Sequence, residues 1–273
     1  MPDLQSCGLA LGRLSAIVLS LLGAAAAEVL GREDQLGSLL EPRPDARPKV
    51  AIVIDDLGLD WERFETANAL PVPVTLAFLP YGRDAQAMLD GTASRHEAIL
   101  HLPMEPKRRK HDAGPRMVRP GPPAAVRHAL QANLARLSGY RGVNNHTGSK
   151  VTEDARAMAV VLEELSRRGL YFLDSRTTPK AAAPSLAAST GAVVVGGDLF
   201  LDGDFGRGGA AHVRRQLDRL RAIAERRGSA IGIGHPYPAT LDVLSSWTQE
   251  QAGIRFVTTA ELAAEARARR GDP

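Results

Sequence analysis

The sequence predicts an α/β protein built from parallel β/α units, in a number suited to a barrel. Three observations carry this. From Lys49 onward, short apolar runs rich in β-branched residues alternate with longer segments of helical pattern. The alternation supplies seven or eight units in about 225 residues. Nearly every apolar run stops at acids, histidines or amides, which parallel sheets gather at the C-terminal ends of their strands.

The first 48 residues lie outside this pattern. Residues 1–27 read as a targeting segment. Arg13 precedes the apolar run Leu14–Gly23, and four alanines, Ala24–Ala27, precede Glu28. A positive flank, a short apolar stretch and small residues match an export signal, and an uncleaved N-terminal anchor is the other expectation. The chain is thus expected to be exported, to the periplasm or cell envelope, and to meet a membrane only through this segment. Residues 28–48, with Pro42, Pro44 and Pro48, read as a linker, and residues 49–273 as one barrel domain. The single cysteine, Cys7, allows neither an internal disulfide nor a thiolate metal site. The net charge is +3, with no basic block interleaved with aromatics, so nucleic acid is not an expected partner.

The first strand is expected at Val50–Ile54, five apolar residues in succession that suit a strand buried on both faces. Later strands are expected at 74–79, 98–102, 142–145, 170–173, 192–195, 231–234 and 254–257. Helices are expected at 61–70, 84–93, 124–137, 153–168, 184–189, 210–227, 239–251 and 260–269. Lys107–Pro123, basic and proline-rich without periodicity, reads as a surface loop near a cleft. Gly203–Gly209 reads as a turn rather than an anion cradle.

Strand one ends at Asp55-Asp56, strand three at His101-Leu-Pro-Met-Glu105 and strand four at Asn144-Asn145-His146. Strand five ends at Asp174-Ser-Arg176, the sixth leads to Asp198 and Asp202, and the seventh ends at His235-Pro-Tyr237. One acid of an adjacent pair can cap the next helix; the other needs a cation, a proton or a metal. Carboxylate with imidazole and no cysteine suits zinc or another divalent ion held by three protein groups and open to water, the equipment of metal-assisted hydrolysis. Phosphoryl or glycosidic chemistry, the latter with Asp55 paired to Asp174 or Asp198, is a further expectation. No G-x-S-x-G elbow supports a serine nucleophile. His96, His111, His128 and His212 read as surface residues.

These motifs, Val-Ala-Ile-Val-Ile-Asp55-Asp56-Leu-Gly, Ile-Leu-His101-Leu-Pro-Met-Glu105-Pro, Gly-Val-Asn-Asn145-His146-Thr-Gly-Ser, Phe-Leu-Asp174-Ser-Arg176-Thr-Thr and Ile-Gly-His235-Pro-Tyr237-Pro, resemble the divergent polysaccharide deacetylase family. The resemblance runs from about Lys49 to Thr259. It implies a distorted (β/α) barrel of about seven parallel strands and a divalent metal, zinc above others. It implies removal of N-acetyl groups from an envelope polysaccharide, the expected partner. By resemblance Asp55 is the general base, Asp56 and His101 are metal ligands and His235 is the general acid. Where the wider superfamily has a second histidine four residues after the first, this chain has Glu105. His146 or Glu105 then completes the metal site, with Asp56, His101 and His146 the favoured set. Arg176 is expected to hold Asp55 or Asp174, and Asn145 and Tyr237 to contact substrate. The competing expectation is an envelope protein that keeps the barrel without turnover and binds glycan or a protein partner.

Overall fold

The structure, a computed structural model, describes residues 45–108, 113–203 and 209–270. The expected targeting segment, most of the linker, His111 and residues 204–208 lie outside the described residues. Among the described residues, no helix is long and apolar enough to cross a membrane.

Nine parallel strands form one curled sheet: β1 (Lys49–Leu57), β2 (Thr75–Phe78), β3 (Glu97–Met104), β4 (Gly142–Thr147), β5 (Tyr171–Asp174), β6 (Val194–Gly196), β7 (Leu199–Phe200), β8 (Ser229–Gly234) and β9 (Arg255–Val257). Eight run in the order β6-β5-β4-β3-β2-β1-β8-β7, and β9 pairs with β1. At nine residues, β1 is long enough to serve two neighbours along one edge. Its first half pairs with β9 (Lys49↔Arg255 to Ala51↔Val257) and its second half with β2 (Val53↔Thr75 to Leu57↔Phe78).

Helices α1 (Trp61–Asn68), α2 (Ala85–Asp90), α3 (Pro123–Leu134), α4 (Ala155–Arg167), α5 (Ala183–Thr190), α6 (Gly209–Arg227), α7 (Pro238–Gln249) and α8 (Thr259–Arg269) fill the connections. Their starts follow local chemistry. The Asp60 carboxylate accepts from Arg63 N at 3.1 Å and that of Asp154 from Ala157 N at 2.9 Å, each satisfying an orphan N–H at a helix N-terminus. Prolines in the first turns of α3, α5 and α7 cost no hydrogen bond there.

Strand alternation separates two cores. Val50, Ile52, Ile54, Leu76, Phe78, Leu100 and Leu102 belong to the core packed against the helices. Ala51, Val53, Ala77, Ile99, Leu173, Ile231 and Ile233 form a second, inner core. Below that inner core lies a polar plug. The buried Glu97 carboxylate accepts from Thr75 Oγ1, Tyr171 OH, Thr259 Oγ1 and Ala260 N at 2.7–3.2 Å. The Ala260 amide belongs to the first turn of α8, so the acid satisfies an orphan donor and complements the helix dipole. Above the inner core, the next inward positions are Asp55, His101 and Asn144.

The barrel differs from a seven-stranded one by the two-residue strand β7 and by its mode of closure. No ladder joins β6 to β7. The chain itself crosses between them, Gly197 N donating to Asp174 O at 2.9 Å and Asp198 N to Ile231 O at 2.8 Å. A Cβ on Gly197 would lie 2.7 Å from Ile233 Cδ1, so a larger residue at this crossing would have to push the Ile233 side chain aside. The Lys107–Pro123 segment is also more than a surface loop. Val118 is fully buried and bridges to Met104, exchanging hydrogen bonds with Pro103 O and Glu105 N. His96, expected at the surface, is buried, with Val74 N donating to its Nδ1.

Candidate metal centre and its acid and base

Asp55, Asp56, His101, Asn145, His146, His235 and Tyr237 meet around one cavity of about 290 Å³ at the C-terminal mouth of the sheet. Thr147, Ser175, Thr177, Phe200 and Gly203 complete its walls.

Asp55 points inward by strand parity. Asp56 would then point outward, but its φ is 60°, a left-handed conformation rare outside glycine, at the break in register between Ile54 and Leu57. That turn brings both carboxylates to the mouth. Local strain of this kind persists where the surroundings over-determine it.

Asp56 Oδ1 lies 3.2 Å from His101 Nε2 and 3.0 Å from His146 Nδ1. The two imidazole nitrogens are 3.1 Å apart, and the three residues place ligand atoms within 4.8 Å of one another. The far side of the His101 ring is fixed. Its Nδ1 is 2.7 Å from Asn144 Oδ1, an acceptor, so Nδ1 carries the proton and Nε2 offers its lone pair to the cluster. Asp56 Oδ1 is buried and accepts no hydrogen bond. Burial works against ionisation of Asp56, yet the two imidazoles beside it, in their protonated form, hold its carboxyl well below the usual range. A buried acceptor without a donor, facing two ring nitrogens, fits a divalent cation, and the Asp-His-His donor set is of the zinc type.

Asp55 sits behind this cluster, 2% exposed, and accepts from Asn144 Nδ2 at 2.7 Å. Burial pushes its pKa up, against the opposing pull of His101 and His235. Asn144 thus joins the candidate base to a candidate ligand through one planar amide.

His235 stands across the cavity, its Nε2 4.0 Å from Asp56 Oδ2. Its Nδ1 contacts Asp202 Oδ1 at 3.0 Å, and its backbone N–H donates to Asp202 Oδ2 at 2.6 Å. Thr240 Oγ1 donates to Asp202 Oδ2 as well. Burial alone would lower the imidazole pKa. The hydrogen bond and charge of Asp202, with Asp56 and Asp55 beyond, raise it instead to about 9. His235 is therefore protonated at neutral pH and suited to donate a proton. Phe200 stacks parallel to it at 6.3 Å, and Tyr237 lies on it at 5.7 Å.

Three of the expected site residues do not join this mouth. Asp174 and Arg176 line a separate hollow with Thr178 and Pro184, because Leu173 and Ser175 occupy the inward positions of their strand end. Arg176 reaches Asp174, not Asp55: its backbone N–H donates to Asp174 Oδ1 at 2.8 Å. Glu105 pairs with Lys150 at 2.9 Å and is outside the ligand cluster, so His146 is the third member. Neither of the acids considered as a partner of Asp55 for glycosidic chemistry lines the cavity. Asp174 faces its own hollow, and Asp198 pairs with Arg227 and accepts from Ile231 N. Asn145 lines the cavity but braces the backbone, donating to Thr147 O at 2.7 Å and accepting from Ser175 N at 2.9 Å. Asn144 and Asp202, left without a role by the sequence, are the residues that fix His101 and His235.

Fold and site together define a curled parallel (β/α) barrel whose mouth gathers an Asp-His-His cluster able to hold a cation, with buried Asp55 on one side and His235 on the other. A family model for divergent polysaccharide deacetylase matches residues 52–263, and the chain belongs to that family. It is similar to the uncharacterized protein YibQ of Escherichia coli K12, 36% identical over 198 residues that cover 72% of this chain and 61% of that protein. The chain thus spans about three fifths of that relative's length. An uncharacterized protein of Haemophilus influenzae is 33% identical, over 77% of this chain and 72% of its own. The crystal structure of uncharacterized protein ATU2773 from Agrobacterium tumefaciens superposes with a TM-score of 0.74 at 29% identity, covering 79% of this chain and 89% of the other.

Proposed function

We propose that the chain is a metal-dependent hydrolase that removes N-acetyl groups from an envelope polysaccharide. The observation that carries this is the meeting of Asp56, His101 and His146 within 4.8 Å, with Asp55 on one side and His235 on the other. Zinc or a similar divalent ion, when held by those three residues, polarises the amide carbonyl and makes water a better nucleophile. Asp55 takes a proton from the attacking water. Its elevated affinity for protons, imposed by burial, suits a base. Asn144 keeps the accepting oxygen aimed and holds His101 in the tautomer that leaves Nε2 free. His235 delivers a proton to the departing amine, and Asp202 steadies the cationic ring before that transfer. Phe200 and Tyr237 pack near the ring. An exported chain, as the first 27 residues suggest, would meet such a polymer in the periplasm or envelope.

The test is a metal analysis joined to an acetate assay. Purified protein supplied with zinc should hold about one ion per chain, lost in His101→Ala, and should release acetate from N-acetylglucosamine oligomers. Protein that retains no ion and releases no acetate overturns the proposal. Metal without acetate release would favour a barrel that binds glycan without turnover.

A further inference from the structure

Among the described residues, two large apolar side chains are exposed, Leu59 at 59% and Trp61 at 43%. Both sit on the connection that follows Asp55-Asp56. Trp61 follows Asp56 by five positions, which keeps its Cα within about 18 Å of the Asp56 Cα. Arg63, in the first turn of α1, is near enough for its charge to act on the phenol of Tyr237 in the cavity wall. The exposed pair therefore lies on the connection that leaves β1 at its C-terminal end, the end of the sheet that carries the cavity.

The connection is held rigidly. Gly58 has φ +104°, and a Cβ there would lie 2.9 Å from Ala85 Cβ and 3.2 Å from Leu79 O, so the loop presses against the start of α2. Trp61 meets the buried Phe64 edge to face at 5.7 Å and 80°, which anchors the indole while leaving much of it in water. Asp60 and Arg63, paired at 3.5 Å and half exposed, flank it with planar polar groups.

We propose that Trp61, with Leu59 and the Asp60–Arg63 pair, is a subsite that stacks a pyranose ring of the polysaccharide beyond the unit in the cavity. This rests on the proposed function for the identity of the polymer. A sugar ring has an apolar face and a rim of hydroxyls, and the site offers an apolar plate and a polar edge. A folded protein partner fits less well. An indole presents at most about 250 Å², of which 43% here is open, against the roughly 800 Å² per side of a stable protein interface.

The chain has two tryptophans, and the other, Trp247, is fully buried with Nε1 bonded to Asp218. A change in tryptophan emission on adding glycan therefore reports Trp61. Titration with an N-acetylglucosamine pentamer should give a saturable blue shift in the full chain, absent in Trp61→Ala. Binding measured by calorimetry should weaken about two- to tenfold in Trp61→Ala and be largely kept in Trp61→Phe. KM for the pentamer should rise by the same factor with kcat unchanged, and a monosaccharide substrate should notice nothing. Equal pentamer binding by Trp61→Ala and the parent overturns the proposal, as does self-association that Trp61→Ala abolishes while the pentamer leaves emission unchanged. The titration needs no turnover. Stacking without acetate release would sink the proposed reaction alone, and acetate release indifferent to Trp61 would sink the subsite alone.

Discussion

Replacing Asp202 by asparagine keeps the shape of the His235 support and removes its charge. In the parent, the imidazole pKa is raised from 6.5 to about 9 against the opposing effect of burial. That difference corresponds to about 3 kcal/mol of preference for the cationic ring. Without the carboxylate, burial acts with less opposition and the value should fall toward 6.5. At pH 8 the protonated fraction would drop from roughly nine tenths to a few per cent, about thirtyfold. If protonated His235 is the donor, as the proposed reaction requires, the alkaline limb of kcat/KM should move from near pH 9 to near pH 7. Stability follows the same sign. A group whose pKa is raised by folding stabilises the fold fully below its unfolded value and ceases to do so as pH rises through about 9. The parent should therefore lose more thermal stability between pH 6.5 and 9.5 than Asp202→Asn. NMR titration of the His235 ring reads the shift without any activity. An alkaline limb and a ring titration that both stay put in Asp202→Asn would refute the assignment of Asp202 as the source of the charge.

Asn144→Leu should leave Asp55 Oδ1 and His101 Nδ1 without their shared partner, costing about 1–3 kcal/mol of stability by denaturant melts and roughly ten- to a hundredfold in zinc affinity by competition titration. Glu97→Ala should strand the donors of Thr75, Tyr171, Thr259 and Ala260 at the base of the barrel, lowering stability by about 3 kcal/mol or more while leaving zinc stoichiometry intact in the folded fraction.

The strands and the gathering of polar residues at one mouth were legible because parallel units expose their polar residues at one end, whatever the connections do. Eight apolar runs could be read as strands, but β7 could not. Leu199-Phe200 is too short to show a period, and its partner β8 lies thirty residues onward. Within the site, a rule of two was available and decides most of the assignments. His101 lies opposite Asn144 in the β3–β4 register, so Asn144 shares its side and Asn145 does not. The same count on β5 puts Leu173 and Ser175 inward and turns Asp174 and Arg176 away. Asp56 is the exception, since its positive φ overrides parity, and nothing local to the sequence announces that. Asp202 was beyond reach for another reason: it meets His235 across 33 residues of chain, through a non-periodic turn.

Among the described residues, the Glu97 plug and the apolar layer above it close the barrel beneath the cavity. On the proposed reaction, a small fragment released from a long polymer would have to leave by the mouth at which that polymer lies. The order of departure would then be set by the polymer's grip on the rim, and a mouth that held its chain too well would slow itself by trapping its own product.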